Sequence, residues 1–336
     1  MPNNACTFID DLDTPGITRR KHGRYWQYFD AKGKRVTDRD EIDRLNAVGL
    51  PPAYERAWFC PKANGHIQAI GYDARGRRQY RYHPDFRAKQ DSQKYALMAE
   101  FGRALPKLRK RVEADLKKRK VAKETVVAAV IRLLDCEHIR VGNEQYAKAN
   151  KSFGATTLRS RHVKQLGRTV KMRFKGKHGI ERELSITDSN LTRIVRRVQD
   201  LPGQNLFQYL DDEGEPCPVT SADVNDYIRD ATGGDFTAKH FRTWGASALF
   251  FETLCAAEPG EKIGLNTALA PVAAALGNTP AMSRKSYVHP ALIEAVKERP
   301  SDPLGTLKCP RKTGYLSSAE RGLLAFLERK PRRKRS

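Results

Sequence analysis

Five side chains, far apart in the chain, have the types that attack on a phosphodiester by a protein nucleophile requires. Such a reaction needs the nucleophile, cations at the non-bridging oxygens where charge builds, and a proton donor for the departing oxygen. Tyr287, in MSRKSYVHP, could be the nucleophile. An isolated phenol, with a pKa of about 10, attacks poorly and needs cationic company. Arg140, in HIRVGNEQY, and Arg242, in KHFRTWG, could hold the oxygens, because a guanidinium fork donates two parallel hydrogen bonds. Lys177, in FKGKHG, could be the acid, since an ammonium pKa falls among other cations. Asn278 stands upstream of Tyr287 in the same segment, GNTPAMSRKSY. Singly, each has an ordinary reading. An arginine after a helix is a cap or half an ion pair, a lysine at a hairpin tip is solvated, an arginine opposite an apolar stripe is a surface arginine, and a tyrosine in a basic loop packs. Spacing alone does not bring the five together.

The elements that must position them can be read from periodicity. The amino-terminal part alternates like strands. GRYWQYFDAKGKRV reads as a strand, a turn at Asp30 to Gly33 and a second strand; Ile67 to Tyr72, DARG and Arg77 to His83 repeat the plan. In the last strand Arg78, Tyr80 and Tyr82 share one face and Arg77, Gln79 and Arg81 the other. Arg77, Gln79, Arg81 and Gln68 on the neighbouring strand are the expected nucleic-acid contacts of this sheet, against the plainer reading of a solvated face. After residue 87 the character becomes helical. SQKYALMAEFGRAL is expected to end near Pro106, and KETVVAAVIRLLDCEHI puts Val127, Val130, Ile131 and Leu134 on one stripe. TVKMRFKGKHGIERELSI reads as a β-hairpin with Lys175 and Lys177 at its tip. SNLTRIVRRVQDL, SADVNDYIRDA and TAKHFRTWGASALFFETLC read as helices, the last lining Phe241, Trp244, Ala248 and Phe251 on one face and turning Arg242 away from it. The expected organisation is α+β: a small antiparallel sheet domain over residues 1–87, and a larger, mainly helical domain over 88–336 with an inserted hairpin and a basic, disordered tail, RKPRRKRS.

Bulk composition says what such chemistry would act on. The 336 residues carry 62 Lys and Arg against 39 Asp and Glu, a formal charge of +23. A charge that large attracts a polyanion, and nucleic acid is the usual one. A ribosomal or anionic-membrane partner is the competing reading. The six cysteines show no CxxC and no metal-ligand pairing, which argues against a zinc site and against a disulfide framework. Sparse cysteines without a signal peptide fit a reducing cytoplasm, and no apolar run approaches membrane-spanning length.

The order and wording of the segments carry a resemblance. LPPAYERAWFCPKANGHIQAIGYDARGRRQYRYH, IRVGNEQYAKANKSFGATTLRSRHV, FKGKHG, KHFRTWGA and NTPAMSRKSYVHP follow one another as blocks of the type IB DNA topoisomerases, in the poxvirus-type branch found also in bacteria. The resemblance runs over nearly the whole chain. It implies a tyrosine recombinase-like catalytic fold that clamps duplex DNA, with Tyr287 as nucleophile, Arg140 and Arg242 on the scissile phosphate and Lys177 as general acid. Lys239 matches the lysine that accompanies the second arginine, and Tyr146 a DNA-contacting tyrosine. Arg284 and Lys285 are expected DNA contacts. Asn278 departs from the poxvirus pattern, which has a histidine there that donates to a phosphate oxygen; an asparagine amide can also donate one hydrogen bond, without charge. The implied reaction relaxes supercoils through a 3′-phosphotyrosyl intermediate, without ATP, cofactor or metal. It implies a cytoplasmic, nucleoid-associated monomer that acts on double-stranded DNA without membrane or obligate protein partner. The alternatives are a tyrosine recombinase or integrase, disfavoured by Lys239 in place of its usual histidine and by the amino-terminal strands, and a non-catalytic DNA-binding protein, disfavoured by the intact Tyr287 with both arginines.

Overall fold

The computed structural model describes residues 6–10, 14–258, 260–305, 307 and 309–329, so the basic tail from residue 330 lies outside the described residues. Two compact units divide the chain, Met1–Ala96 and Leu97–Ser336.

The first unit is an antiparallel sheet of β1 (Ile17–His22), β2 (Tyr25–Phe29), β3 (Glu55–Phe59), β4 (Ile67–Tyr72) and β5 (Arg78–Tyr82), in the order β2-β1-β3-β4-β5, with helices α1 (Arg39–Ala47) and α2 (Pro84–Ala96). Its core gathers Ile17, Tyr28, Leu45, Leu50, Phe59 and Ala69. The β4–β5 hairpin forms where alternation and the DARG turn place it, with Gly76 at φ 69°. The Asp30 to Gly33 turn also forms, its backbone held by Asp30 Oδ1 accepting from the Lys32 and Lys34 amides. The strand expected after it does not: only a Phe29–Arg35 bridge is made, and β2 pairs instead with β1, upstream.

The second unit packs helices α3 (Met98–Lys117), α4 (Lys123–Glu137), α5 (Glu144–Asn150), α6 (Ser189–Gln199), α7 (Ser221–Thr232), α8 (Ala238–Ala256), α9 (Leu265–Leu276), α10 (Pro280–Ser286), α11 (Pro290–Glu298) and α12 (Ser318–Leu327). Inserted among them are a three-stranded sheet, β6 (Val163–Leu166), β7 (Thr169–Lys175) and β8 (Glu181–Ile186), and a small hairpin, β9 (Gln208–Leu210) with β10 (Pro216–Pro218). α3 does not end at Pro106. Proline removes one i→i−4 bond, but Phe101, Leu105, Leu108, Val112 and Leu116 are all buried on one side, and their packing carries the helix through. α4 is buried well beyond the expected stripe, Val126, Ala128, Ala129 and Leu133 included, so it is a central helix rather than an amphipathic cover.

Past α10 the chain returns to the bundle. α11 packs on α8 and α9, and α12 on α8 and α3. A buried polar network locks this return. Arg109 of α3 donates to both carboxylate oxygens of Asp135 at 2.8 Å and to those of Glu320 in α12 at 2.7 and 2.9 Å. The Trp244 indole of α8 donates to the same Glu320 at 2.9 Å. Cys255 and Cys309 form a disulfide with a Cα separation of 6.3 Å, tying the end of α8 to the segment before α12. The cysteine spacing gave no reason to expect this link, because the fold alone brings together residues 54 apart. Among the described residues no helix is long and apolar enough to cross a membrane.

Candidate active site

Arg140 is placed by an abrupt end to α4. His138 takes the left-handed conformation, φ 50°, and its amide closes the helix on the Leu134 carbonyl. The chain then runs against the segment at Gly154. The Arg140 carbonyl accepts from the Ala155 amide at 2.8 Å, and Val141 accepts from Thr156 at 2.7 Å. A Cβ on Gly154 would lie 2.6 Å from the Arg140 carbonyl oxygen and from the Gly142 nitrogen, so glycine is what allows the two strands of backbone to touch.

Tyr287 follows the short helix α10, which Thr279 caps by accepting from the Met282 amide. Its backbone leaves the helix at φ −129°. Ser247 of α8, fully buried, donates to the Tyr287 carbonyl at 3.5 Å and accepts from the His289 amide at 3.0 Å, while Val288 is buried beside it. The phenol is thus fixed from the backbone outward.

Arg242 is 5% exposed, not on an open helix face as its place opposite the apolar stripe suggests. Phe241, Trp244, Ala248 and Phe251 are buried, but so are Thr243, Gly245 and Ser247, because this end of α8 is enclosed on all sides. The guanidinium donates from Nη1 to the His138 carbonyl and from Nη2 to the Leu276 carbonyl at 3.3 Å. Its buried Nε has no partner and is left as a donor.

These residues converge. Arg140 Nη2 lies 3.3 Å from Tyr287 Oη and 3.4 Å from Asn278 Oδ1. The Arg242 guanidinium carbon is 4.9 Å from the centre of the Tyr287 ring. Burial pushes the phenol pKa up, but the charges of Arg242 and Arg140 and their hydrogen bonds outweigh it, and the net effect lowers it from its ordinary value. Burial, then Arg140, brings the Arg242 guanidinium down to about 10, so it still carries its charge at neutral pH. Asn278 follows Gly277, the left-handed cap of α9, and its amide bonds to the Ala273 carbonyl at 3.0 Å. With Oδ1 toward Arg140, its buried Nδ2 has no partner and is left as a donor.

Lys177 lies on a 3-10 turn, Lys177–Gly179, at the tip of the β7–β8 hairpin, and is exposed. It lines one cleft with Arg140, Arg242, Arg182 and Gly277. Sequence reasoning missed three residues that shape this site. The His138 carbonyl holds Arg242, and its ring packs so closely on α8 that a Cβ on Gly245 would lie 2.4 Å from it. Ser247 holds Tyr287. Arg182 reaches from β8 to the end of α9. A signal for Arg182 existed: it alternates with Leu184 and Ile186, both buried, so a charge stands in an apolar register.

Of the remaining expected contacts in the helical unit, Lys239, Arg284 and Lys285 are exposed, as is Tyr146 on α5. In the sheet unit Arg81 is exposed. Arg77 and Gln79 both bond Asp73 Oδ2, at 2.8 and 3.0 Å. Gln68 is corrected from an expected DNA contact to a structural residue. It is buried, donates to the Ala63 and Gly65 carbonyls at 3.0 and 2.7 Å and accepts from Arg44 at 3.1 Å, because β4 is covered on both faces. Two histidines near the site in sequence serve as caps: His240 Nδ1 accepts from the Thr237 amide and His289 Nδ1 from the Ala291 amide.

The chain is similar to known proteins along most of its length. Residues 83–303 match the family described as Eukaryotic DNA topoisomerase I, catalytic core, and residues 25–73 match Bacterial DNA topoisomerase IB, N-terminal domain. DNA topoisomerase 1B of Acanthamoeba polyphaga mimivirus is 32% identical over 298 residues, 85% of this chain and 88% of the viral protein. DNA topoisomerase I of Monkeypox virus is 22% identical over 255 residues, 73% of this chain and 77% of its own. Among solved structures, the XerH site-specific recombinase in a post-cleavage complex superposes with a TM-score of 0.38 and 17% identity, over 57% of this chain and 50% of that one. A family match over most of the chain, together with a relative of this identity aligned along nearly its full length, establishes that the chain belongs to the type IB DNA topoisomerases.

Proposed function

We propose that Tyr287 attacks a backbone phosphate of duplex DNA, forming a 3′-phosphotyrosyl bond as the P–O bond to the 5′ oxygen breaks. The observation that carries this reading is the approach of Arg140 Nη2 to within 3.3 Å of Tyr287 Oη, with Arg242 beside the ring. Both cations favour the phenolate before attack and hold the non-bridging oxygens during it. Asn278 Nδ2 adds a neutral donor. Lys177 protonates the departing 5′ oxygen, so a free hydroxyl leaves. The phosphotyrosyl bond conserves the energy of the bond broken, and the returning 5′ hydroxyl reverses the reaction without ATP. Supercoils relax between the two steps. Lys239, Tyr146, Arg284 and Lys285 contact the backbone around the site, and Arg77, Gln79 and Arg81 extend the contact from the amino-terminal sheet. The enzyme acts as a single chain on the DNA of a bacterial cytoplasm.

The test is a suicide duplex that loses a short 5′-hydroxyl strand on cleavage. Parent protein is expected to become attached to the 3′ phosphate, and Tyr287→Phe to form no adduct. Arg140→Ala and Arg242→Ala each remove a donor to developing charge and are expected to slow attachment by at least about a hundredfold. An adduct formed by Tyr287→Phe overturns the assignment.

A further inference from the structure

We infer that Arg182 is the positioning residue of the general acid, bracing the hairpin that carries Lys177 against the end of α9; this rests on the proposed role of Lys177. Among the described residues no hydrogen bond or ion pair holds the Lys177 ammonium, so its place depends on the hairpin. The tip is stiff in itself: the Gly176 amide bonds the Ile180 carbonyl at 2.8 Å and the Gly179 amide the Gly176 carbonyl at 3.0 Å. Two anchors seat it: on one side the Phe153 amide donates to the Lys175 carbonyl at 2.8 Å, and on the α9 side the Arg182 fork holds it. Nη2 donates to the Ala275 carbonyl at 2.7 Å and Nη1 to the Ala274 carbonyl at 3.3 Å.

The point of attachment matters. Carbonyls in the last turn of a helix have no partner within the helix, and the negative end of the dipole lies there, so a half-buried cation such as Arg182 is well placed. Arg242 bonds the next carbonyl, of Leu276, and Asn278 follows two residues on. Gly277, at φ 61°, keeps the space open: a Cβ there would lie 2.6 Å from Arg182 Nη1. One helix end is therefore the common reference for the acid's hairpin, for one phosphate-binding arginine and for the amide donor. Arg182 also lines the cleft beside Arg140, but its fork is committed to two carbonyls rather than turned to a ligand.

Positioning and direct phosphate contact separate by leaving group. A 5′-bridging sulfur departs as a thiolate and needs no proton, so it makes the general acid unnecessary. Single-turnover cleavage is measured on suicide duplexes with oxygen or sulfur at that position, for the parent, Arg182→Ala, Arg182→Lys and Lys177→Ala. General acids contribute about a hundredfold or more, so Arg182→Ala is expected to be ~10- to 100-fold slow on oxygen and within about threefold of the parent on sulfur. Arg182→Lys, able to bond one carbonyl at a time, falls between. Recovery on sulfur also shows the variant to be folded. Equal loss on both substrates, or no loss on oxygen, overturns the inference. If Lys177→Ala is rescued by sulfur and Arg182→Ala is not, only the role of Arg182 fails; if Lys177→Ala is not rescued, the acid lies elsewhere and both readings fall.

Discussion

Replacing Asn278 separates a donor aimed at the transition state from a residue that merely fills space. In the structure Oδ1 faces Arg140 at 3.4 Å, and Nδ2 is buried without a partner. A buried, unpartnered N–H costs about 1–3 kcal/mol in the resting protein. A phosphate oxygen that accepts from it returns that cost during reaction. Asn278→Ala removes the donor, and loss of one such donor typically slows reaction ~10²–10³-fold, about 2.7–4 kcal/mol. The same change deletes the unsatisfied group, so the melting temperature is expected to hold or rise. Asn278→Asp keeps the shape but turns the donor into an acceptor and sets a carboxylate against Arg140. At about 4 Å and an effective dielectric of about 20, opposite charges attract by ~4 kcal/mol. Arg140 is then drawn from the phosphate, which the new charge also repels, and cleavage is expected at least about tenfold below Asn278→Ala. Single-turnover adduct formation on the suicide duplex, with thermal melts of each variant, reads both quantities. Cleavage by Asn278→Ala within about threefold of the parent, or Asn278→Asp faster than Asn278→Ala, refutes the donor role.

Because Arg242 and Arg140 together lower the Tyr287 pKa despite burial, removing either raises it again. An ultraviolet phenolate titration, with Tyr287→Phe subtracted, is expected to show this inflection move to higher pH in Arg140→Ala; no movement means the phenol does not sense that charge. Gly245→Ala drives a methyl into the His138 ring and so displaces the carbonyl that holds Arg242. About 1–3 kcal/mol of stability should be lost in urea unfolding, with slower cleavage at unchanged DNA affinity. For Glu320, burial raises the carboxyl pKa, but hydrogen bonds and charge from Arg109 outweigh it, leaving the pKa depressed. Its contribution is therefore present above the unfolded value of about 4.3 and is lost as pH falls through the folded one. Glu320→Ala is expected to cost about 3 kcal/mol or more at pH 7 by urea unfolding and to flatten the acid loss of stability.

The sequence made residue types and element order legible, and the convergence was not. Alternation and the KGKHG turn located the hairpin that carries Lys177, and apolar periodicity located α4 and α8. Which way a side chain points depends on what packs against it. Gln68 read as outward on an alternating strand, but β4 is covered on both faces and the amide is used to hold the Lys62–Gly65 turn. Arg242 read as outward from an apolar stripe, but the helix is enclosed there, and its partners are carbonyls that no pattern of side chains reveals. Proline at 106 marked a stop on local grounds that tertiary packing overrode. The close passage of Gly142 and Gly154 was equally hidden, since a glycine needed for backbone contact looks like any other.

The chain beyond Tyr287 bears on whose tyrosine enters which site. α11 and α12 fold back onto α8, and α12 is fastened through Glu320 to Arg109 and Trp244. Ser247, on that same helix, grips the backbone on either side of the phenol. Upstream, Gly277 and Asn278 tether it to α9. Tyr287 is thus moored fore and aft to the bundle that carries Arg242. In the proposed reaction, a DNA end joined to Tyr287 would stay berthed beside Arg140 and Arg242, facing the one strand from which it came. Handing that end to a second protein copy would first require slipping both moorings.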